Sequence, residues 1–470
     1  MSATTIETDG IAPAGRRRMA YTAMSVATTM SVIDGSIANI ALPTIARELH
    51  VGAAAIVWVV NAFNLAVTGS LIAAAAYGAS LGLTRVYRAG IVVFTAGSLS
   101  CALSTSFAFL VAARVAQGVG AAMIMAIAPA LVRSIFPRAL LVRAFGWNSV
   151  IVSAAGAAGP TAGGLLLAVL PWPWLFAINV PLSFVTIALG SKTLPEVSGD
   201  GRRPDVASLL ASGVGFSLLV YGIDGFSRRE SALAIALEIG IGGAVFAWFV
   251  ARQFRLPRPI IALDLFRLPV FSSAAGTSIA TWTAWGAGFV TLPFVFQLDR
   301  GFSPLVAGLL LTAWPLGTAL TAPFASRLTD RISVRTIATI GLTVFAVALL
   351  LYTAFSHVAP IAALLAFGAI AGVGFGCFQA PNNSELLGSA PPEKSASAGA
   401  LLATLRVSGQ TLGGSIVAIT FAWAERAHAP AFASAAAPVA LGIASAFAVV
   451  AIAVSVGRSV DLPRIARDQP

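Results

Sequence analysis

Short polar or Pro/Gly breaks cut this chain into a long series of apolar runs. Each run is close to the ~20 residues that a helix needs to cross a bilayer. Hydrocarbon offers no water to backbone N–H and C=O groups, so such a run must pair them internally, as a helix. Cutting at the breaks predicts fourteen spans: 19–42, 55–76, 88–106, 108–133, 143–169, 173–192, 206–225, 232–252, 270–296, 304–327, 334–355, 359–382, 396–424 and 437–457. The expected fold is an all-α polytopic membrane protein. Composition agrees: 58% of residues are hydrophobic and 10% charged, where soluble domains carry about 25% charged residues. The first eighteen residues are polar and end in Arg16, Arg17 and Arg18. The apolar run after them is too long for the core of a cleaved leader and reads as an uncleaved first span.

The net charge of +11 would suggest nucleic acid in a soluble chain, but its placement points elsewhere. Of the 29 Lys and Arg, all but Arg47, Arg114, Arg228, Arg229, Arg300, Arg406 and Arg426 fall in segments expected on the same side as the N-terminus. Basic residues collect on the cytoplasmic side of membrane proteins. The bias therefore places both termini inside, and an error of one span would scramble it. The basic residues orient the chain and meet anionic lipid, so no nucleic-acid partner is expected.

Two short basic turns, "AAYGASLGLTRVY" (Ala75 to Tyr87) and "SRLTDRISVRTI" (Ser326 to Ile337), follow the second and tenth spans. Such internal similarity marks many secondary transporters built from parallel repeats. The chain divides into a tail at 1–18, a six-helix bundle at 19–194, a linker with two accessory helices at 195–258, a second six-helix bundle at 259–457 and a tail at 458–470.

Two opposite charges interrupt the greasy spans. Asp34 lies eight or nine residues inside the end of the first span, roughly 12–13 Å deep at 1.5 Å per residue. Arg114 lies about seven residues, or roughly 10 Å, inside the start of the fourth. Intramembrane charges are costly and answer one another or water. The similar depths predict that Asp34 and Arg114 share a polar cavity, paired directly or through water, with Asn39 and Gln117 within reach. Snorkelling of Arg114 to the interface is the bland alternative. In the fifth span, "GAAGPTAGGLLL" places Gly156, Gly159, Gly163 and Gly164 near one helical face, with Pro160 as a kink. An ordinary packing seam would look the same. Arg406 and Gln410 sit one turn apart on the thirteenth span and, with Asn39, are candidates for a cavity lining. Asp224 and Glu385 lie toward span ends, where acids are usually solvated, while Glu238, inside the eighth span, is less easily dismissed.

Several chemistries find no support. Cys101 and Cys377 lie in apolar runs and read as small buried hydrophobes. No metal-ligand spacing, phosphate-binding G-x-x-x-x-G-K-[ST] loop, H-E-x-x-H or G-x-S-x-G occurs. An enzyme would need a reactive cluster that the chain lacks, and neither ATP nor a cofactor is expected.

"DGSIANIALPTI" (Asp34 to Ile45), "RVAQGVGAA" (Arg114 to Ala122), "GAAGPTAGG" (Gly156 to Gly164) and "WLFAINVP" (Trp174 to Pro181) together resemble the major facilitator superfamily. Within it they resemble the fourteen-helix drug:proton antiporters, over about residues 19–457. The resemblance implies two bundles that rock about a central cavity. It implies a monomeric exporter of lipophilic, often cationic compounds in the cytoplasmic membrane, driven by protons. A neutral or anionic metabolite is the alternative substrate. It carries proton or substrate coupling to Asp34, a proton relay to Arg114 and Gln117, and a kinked gate to Gly156, Gly159, Pro160, Gly163 and Gly164. One departure stands out. The cytoplasmic loop motif of the first half keeps Gly82 and Arg85 but has Ala75 for its leading glycine and Ala79 for its aspartate. The second copy keeps Asp330, Arg331 and Arg335, so it is expected to bear more of the gating.

Overall fold

The computed structural model describes residues 14–199, 201, 204–228, 230–256, 259–391, 394–427 and 432–457. Expectations resting on the rest of the two tails and on Arg202, Arg203, Arg229 and Arg258 lie outside the described residues. Within them the chain is helical, with no strand. The long helices are α1 (Ala14–Glu48), α2 (Ala53–Leu81, broken at Val57), α3 (Leu83–Ala102), α4 (Phe107–Ile135), α5 (Arg138–Val169), α6 (Trp174–Thr193) and α7 (Val206–Arg228). They continue as α8 (Ala232–Arg255), α9 (Pro269–Asp299), α10 (Pro304–Leu328), α11 (Val334–Phe355), α12 (Ile361–Gly388), α13 (Ser395–Arg426) and α14 (Phe432–Val456).

Local chemistry sets the ends. Ser106, Ser231, Ser303 and Ser333 each accept the backbone N–H three residues on, capping α4, α8, α10 and α11. Gly82 separates α2 from α3 at φ +106°, a backbone shape that glycine alone adopts readily.

Twelve helices among the described residues are long and apolar enough to cross a membrane, where the sequence predicted fourteen spans. The difference is α3 and α13. Arg85 and Arg88 open α3, while Arg406, Gln410 and a series of Ser and Thr dilute α13. Both have the length but less of the hydrophobicity.

Helices α1–α6 pack together, as do α9–α14, while α7 and α8 pair and α7 lies against both α2 and α13. We call the end where α1 begins the near face and the end where it finishes the far face. A cavity of about 230 Å³ lies between the two sets of six, walled by residues of α1, α2, α4, α5, α9, α10, α12 and α13. Toward the far face it is plugged by a buried apolar cluster that includes Ile37, Ile40, Leu42, Phe294, Phe296, Leu311 and Phe421. Gln297 Nε2 ties that plug together by donating to the Ile40 carbonyl at 2.8 Å.

Gly156, Gly159 and Gly163 of α5 all look toward α1, the one face that their spacing predicted, while Gly164 turns to α10. A Cβ on Gly163 would lie 2.6 Å from Ile40 Cγ2 of α1, and one on Gly164 would lie 2.5 Å from the Pro304 carbonyl oxygen of α10. Gly159 faces Ser36, while Gly156 borders the cavity with only Val32 near, at 3.9 Å. Thr161 and Thr312 share a 2.6 Å hydrogen bond across the same α5–α10 crossing. Toward the near face these two helices present exposed Trp147, Val150, Leu320 and Phe324 instead.

This packing separates the glycines by experiment. Gly164→Leu forces a side chain into backbone and is expected to cost about 1–3 kcal/mol, lowering the thermal unfolding midpoint in detergent. Gly156→Ala, with space beside it, is expected to leave the midpoint unchanged.

Candidate functional site

Asp34 lies midway along α1 and is 1% exposed. A carboxylate so buried needs its acceptor sites filled, and three side chains on two helices supply donors. Arg114 of α4 donates through Nη1 to Oδ2. Gln117, one turn further along α4, donates from Nε2 to Oδ1 at 2.7 Å. Asn179 at the start of α6 donates from Nδ2 to the same oxygen at 2.9 Å. Ser98 of α3 accepts from Gln117 at 2.7 Å.

Arg114, fully buried, is answered beyond Asp34. Nε donates to the Val59 carbonyl at 2.9 Å and Nη1 to Gln117 Oε1 at 2.6 Å. Nη2 has no hydrogen bond, but the guanidinium carbon lies 4.2 Å from the centre of the Phe63 ring and 5.4 Å from that of Phe176. Aromatic faces attract cations. The Val59 carbonyl belongs to the first turn of α2 after the break at Val57.

Asp34 and Arg114 thus pair directly, as their depths predicted, and Gln117 joins them. Their sharing of the open cavity does not hold: neither borders it. Asn39 stays out of the network. Its Nδ2 donates back to the Gly35 carbonyl at 3.1 Å, and its side chain lines the cavity. Arg406 and Gln410 line the cavity as well. Asn179, Ser98 and the Val59 carbonyl were not singled out from sequence. Asn179 was visible as the amide in "WLFAINVP". Cys101 is buried as expected, yet its thiol also reaches Gln117 Oε1 at 3.6 Å.

Near the near face, Gly82 lies under the linker after α6: a Cβ there would sit 2.6 Å from the Val197 carbonyl oxygen. Arg85 is exposed, and its neighbour Arg88 pairs with Glu196 of that linker at 2.6 Å. Asp330 and Arg331 are exposed after α10, and Arg335 donates to the Val456 carbonyl. At the far end, Asp224 is buried rather than solvated. It accepts from Trp58 Nε1 of α2, and Glu238 pairs with Arg228 at 3.2 Å. Just before α7, Arg252 grips Asp205 with two hydrogen bonds of 2.9 and 3.1 Å. That guanidinium, with Ser208, holds the Asp205 carboxyl down at about 2, so the tie between the accessory helices stays ionised at ordinary pH.

A family model described as Major Facilitator Superfamily matches residues 24–414 and 273–467. The chain is 39% identical over 420 residues to "Uncharacterized transporter YebQ" of Escherichia coli K12, covering 88% of this chain and 91% of that one. It is 31% identical to "Riboflavin transporter RibZ" of Clostridioides difficile over 395 residues, 84% of this chain and 86% of that one. It is 30% identical to "Multidrug resistance protein Stp" of Mycobacterium tuberculosis over 403 residues, 84% and 74% of the two. Among solved structures, a bacterial homolog of the lysosomal transporter Spinster superposes with a TM-score of 0.69 at 14% identity, covering 94% of this chain and 97% of that one.

Removing one member of the buried pair separates its roles. Arg114→Met strands the Asp34 charge and is expected to cost about 3–5 kcal/mol of stability, read as a fall in the thermal unfolding midpoint. Adding Asp34→Asn removes that charge and should restore most of the loss. A double variant no more stable than Arg114→Met would show that the charge pair is not the origin.

Proposed function

This chain belongs to the major facilitator superfamily and is a transporter, and we propose that it exports a small lipophilic compound in exchange for protons. The observation that carries the coupling is the Asp34–Arg114–Gln117–Asn179 network. A proton on Asp34 cancels the charge that Arg114 answers. The pair then loosens, and the guanidinium seeks other acceptors. Conformation and protonation are linked whenever one state holds the charge pair better than the other. Protons and the exported compound are the only partners this cycle needs besides lipid. It needs no cofactor, and one chain suffices.

Alternating access follows from the same reading. The twelve apolar helices with α3 and α13 make fourteen crossings, with both termini in the cytoplasm and the chain in the cytoplasmic membrane. The near face is then cytoplasmic. The far plug and the α5–α10 crossing at Gly164 and Thr161 close the outer side, and the cavity loads from within. Asp330 and Arg331 await closure of the inner side. Ala79 replaces the first loop's aspartate, and the linker's Glu196 offers a carboxylate beside that loop.

The charge of the cargo is a separate question. Asp34, the acid to which the resemblance carries proton or substrate coupling, is 1% exposed and committed to three donors. Among the described residues no Asp or Glu lines the cavity. That observation favours a neutral or anionic cargo over a cationic one.

Everted vesicles energised to pump protons inward should accumulate the cargo, and a protonophore should abolish accumulation. Asp34→Asn should lose gradient-driven accumulation at normal membrane levels. Full accumulation in that variant would sink the coupling role. Asp330→Asn is expected to slow transport more than any substitution at Ala79, and equal effects at both positions would count against a gate biased to the second half.

A further inference from the structure

Two arginines sit among the helices, and their circumstances differ. Arg114 has an acid, an amide, a carbonyl and two aromatic faces. Arg406 of α13 lines the cavity, and its guanidinium carbon lies 5.9 Å from the Trp282 ring. No carboxylate among the described residues forms an ion pair with it. It is also the one charged side chain among the described residues that line the cavity. An intramembrane guanidinium without a counter-charge is costly, and residues of this kind mark substrate paths.

The wall around it is aromatic. Trp282 packs edge-on against Phe375 at 4.8 Å and against Trp285 at 5.5 Å. Trp285 is stacked on Phe289 at 4.4 Å and 13°, and unlike Phe289 it remains partly exposed. Trp285, backed by Phe289, thus borders the cavity as a partly exposed ring. Gln410, one turn from Arg406, and Gln379 add amide donors. The volume of about 230 Å³ suits one or two fused rings.

We propose that the cavity binds a flat aromatic anion, with its ring on Trp285 and its carboxylate or equivalent acid on Arg406. The proposal deepens the transport reading and rests on it for physiological meaning, but binding itself needs no gradient. A planar acid answers the guanidinium with paired hydrogen bonds. The ring faces gain from offset or edge stacking. A cation of the same shape would meet like charge with no acid in reach.

The test uses three probes that share a ring and differ in charge: 2-naphthoate, 2-naphthamide and 2-naphthylmethylammonium. Binding to the purified full chain in detergent at neutral pH is followed by tryptophan quenching and calorimetry. Naphthoate should bind about tenfold more tightly than the amide, and the ammonium more weakly than either. Arg406→Gln should erase the preference for naphthoate over the amide while leaving amide affinity unchanged. Trp285→Leu should weaken naphthoate and naphthamide alike. Because Arg406→Gln removes an unanswered charge, its unfolding midpoint should not fall, which guards against misfolding. Equal binding of the three probes, preference for the ammonium, absence of naphthoate binding, or an unchanged charge preference in Arg406→Gln would each overturn the proposal. Normal naphthoate binding without gradient-driven transport would instead overturn the transport reading and leave the site standing.

Discussion

The constraint that organises the first bundle is the burial of one carboxylate beside one guanidinium. Neither Asp34 nor Arg114 can reach water, so the two charges must be answered inside the fold. The consequences reach five helices. Gln117 must follow Arg114 by one turn, Asn179 must stand at the start of α6, and Ser98 of α3 must close the ring of donors and acceptors. The Val59 carbonyl, in the first turn of α2 after Val57, is needed as well. Close approach of the backbones permits this convergence. A Cβ at Gly97 would lie 2.6 Å from the backbone nitrogen of Gln117, so α3 and α4 meet at the level of the polar network itself.

The second constraint is that the bundles meet and part along the same helices. Small residues let α5 lie against α1 at Gly159 and Gly163 and against α10 at Gly164. Pro160 sits between these contacts. Its ring deprives the helix of one hydrogen bond. The α5 segment therefore touches the helix that carries Asp34 on one side and the second bundle on the other. Through α5, then, α1 is connected to the far α5–α10 crossing.

Much of this was legible from sequence because it depends on axial position alone. A rise of 1.5 Å per residue brought Asp34 and Arg114 to one depth, and the structure joins them. Azimuth was harder. Asn39 lies one turn from Asp34, yet it turns to Gly35 and the cavity. Asn179 lies far away in sequence, and only the packing of α6 on α1 brings it to Oδ1. The same gap hid the buried state of Asp224, whose partner is a tryptophan on α2. Composition, too, reads a helix only on average. The polar residues that carry the site material of α13 are the ones that lower its hydrophobicity below that of its neighbours.

The buried pair and the cavity are separate compartments, but the partition between them is one residue thick. Phe63 presents its ring to the Arg114 guanidinium at 4.2 Å and also lines the cavity. Val60 lines the cavity directly after the residue whose carbonyl holds Arg114. On α1, Ser31, Gly35, Ser36 and Asn39 face the cavity while Asp34 faces into the bundle. Two elements, α1 and the first turns of α2, thus belong to the charge network and to the cargo wall together. If Arg114 leaves its place, Phe63 loses the cation against which it rests, and the cavity wall must adjust. On the proposed reading, protonation of Asp34 would then reshape a cavity wall that Asp34 itself does not touch. Phe63 is thus a direct physical contact between the two compartments.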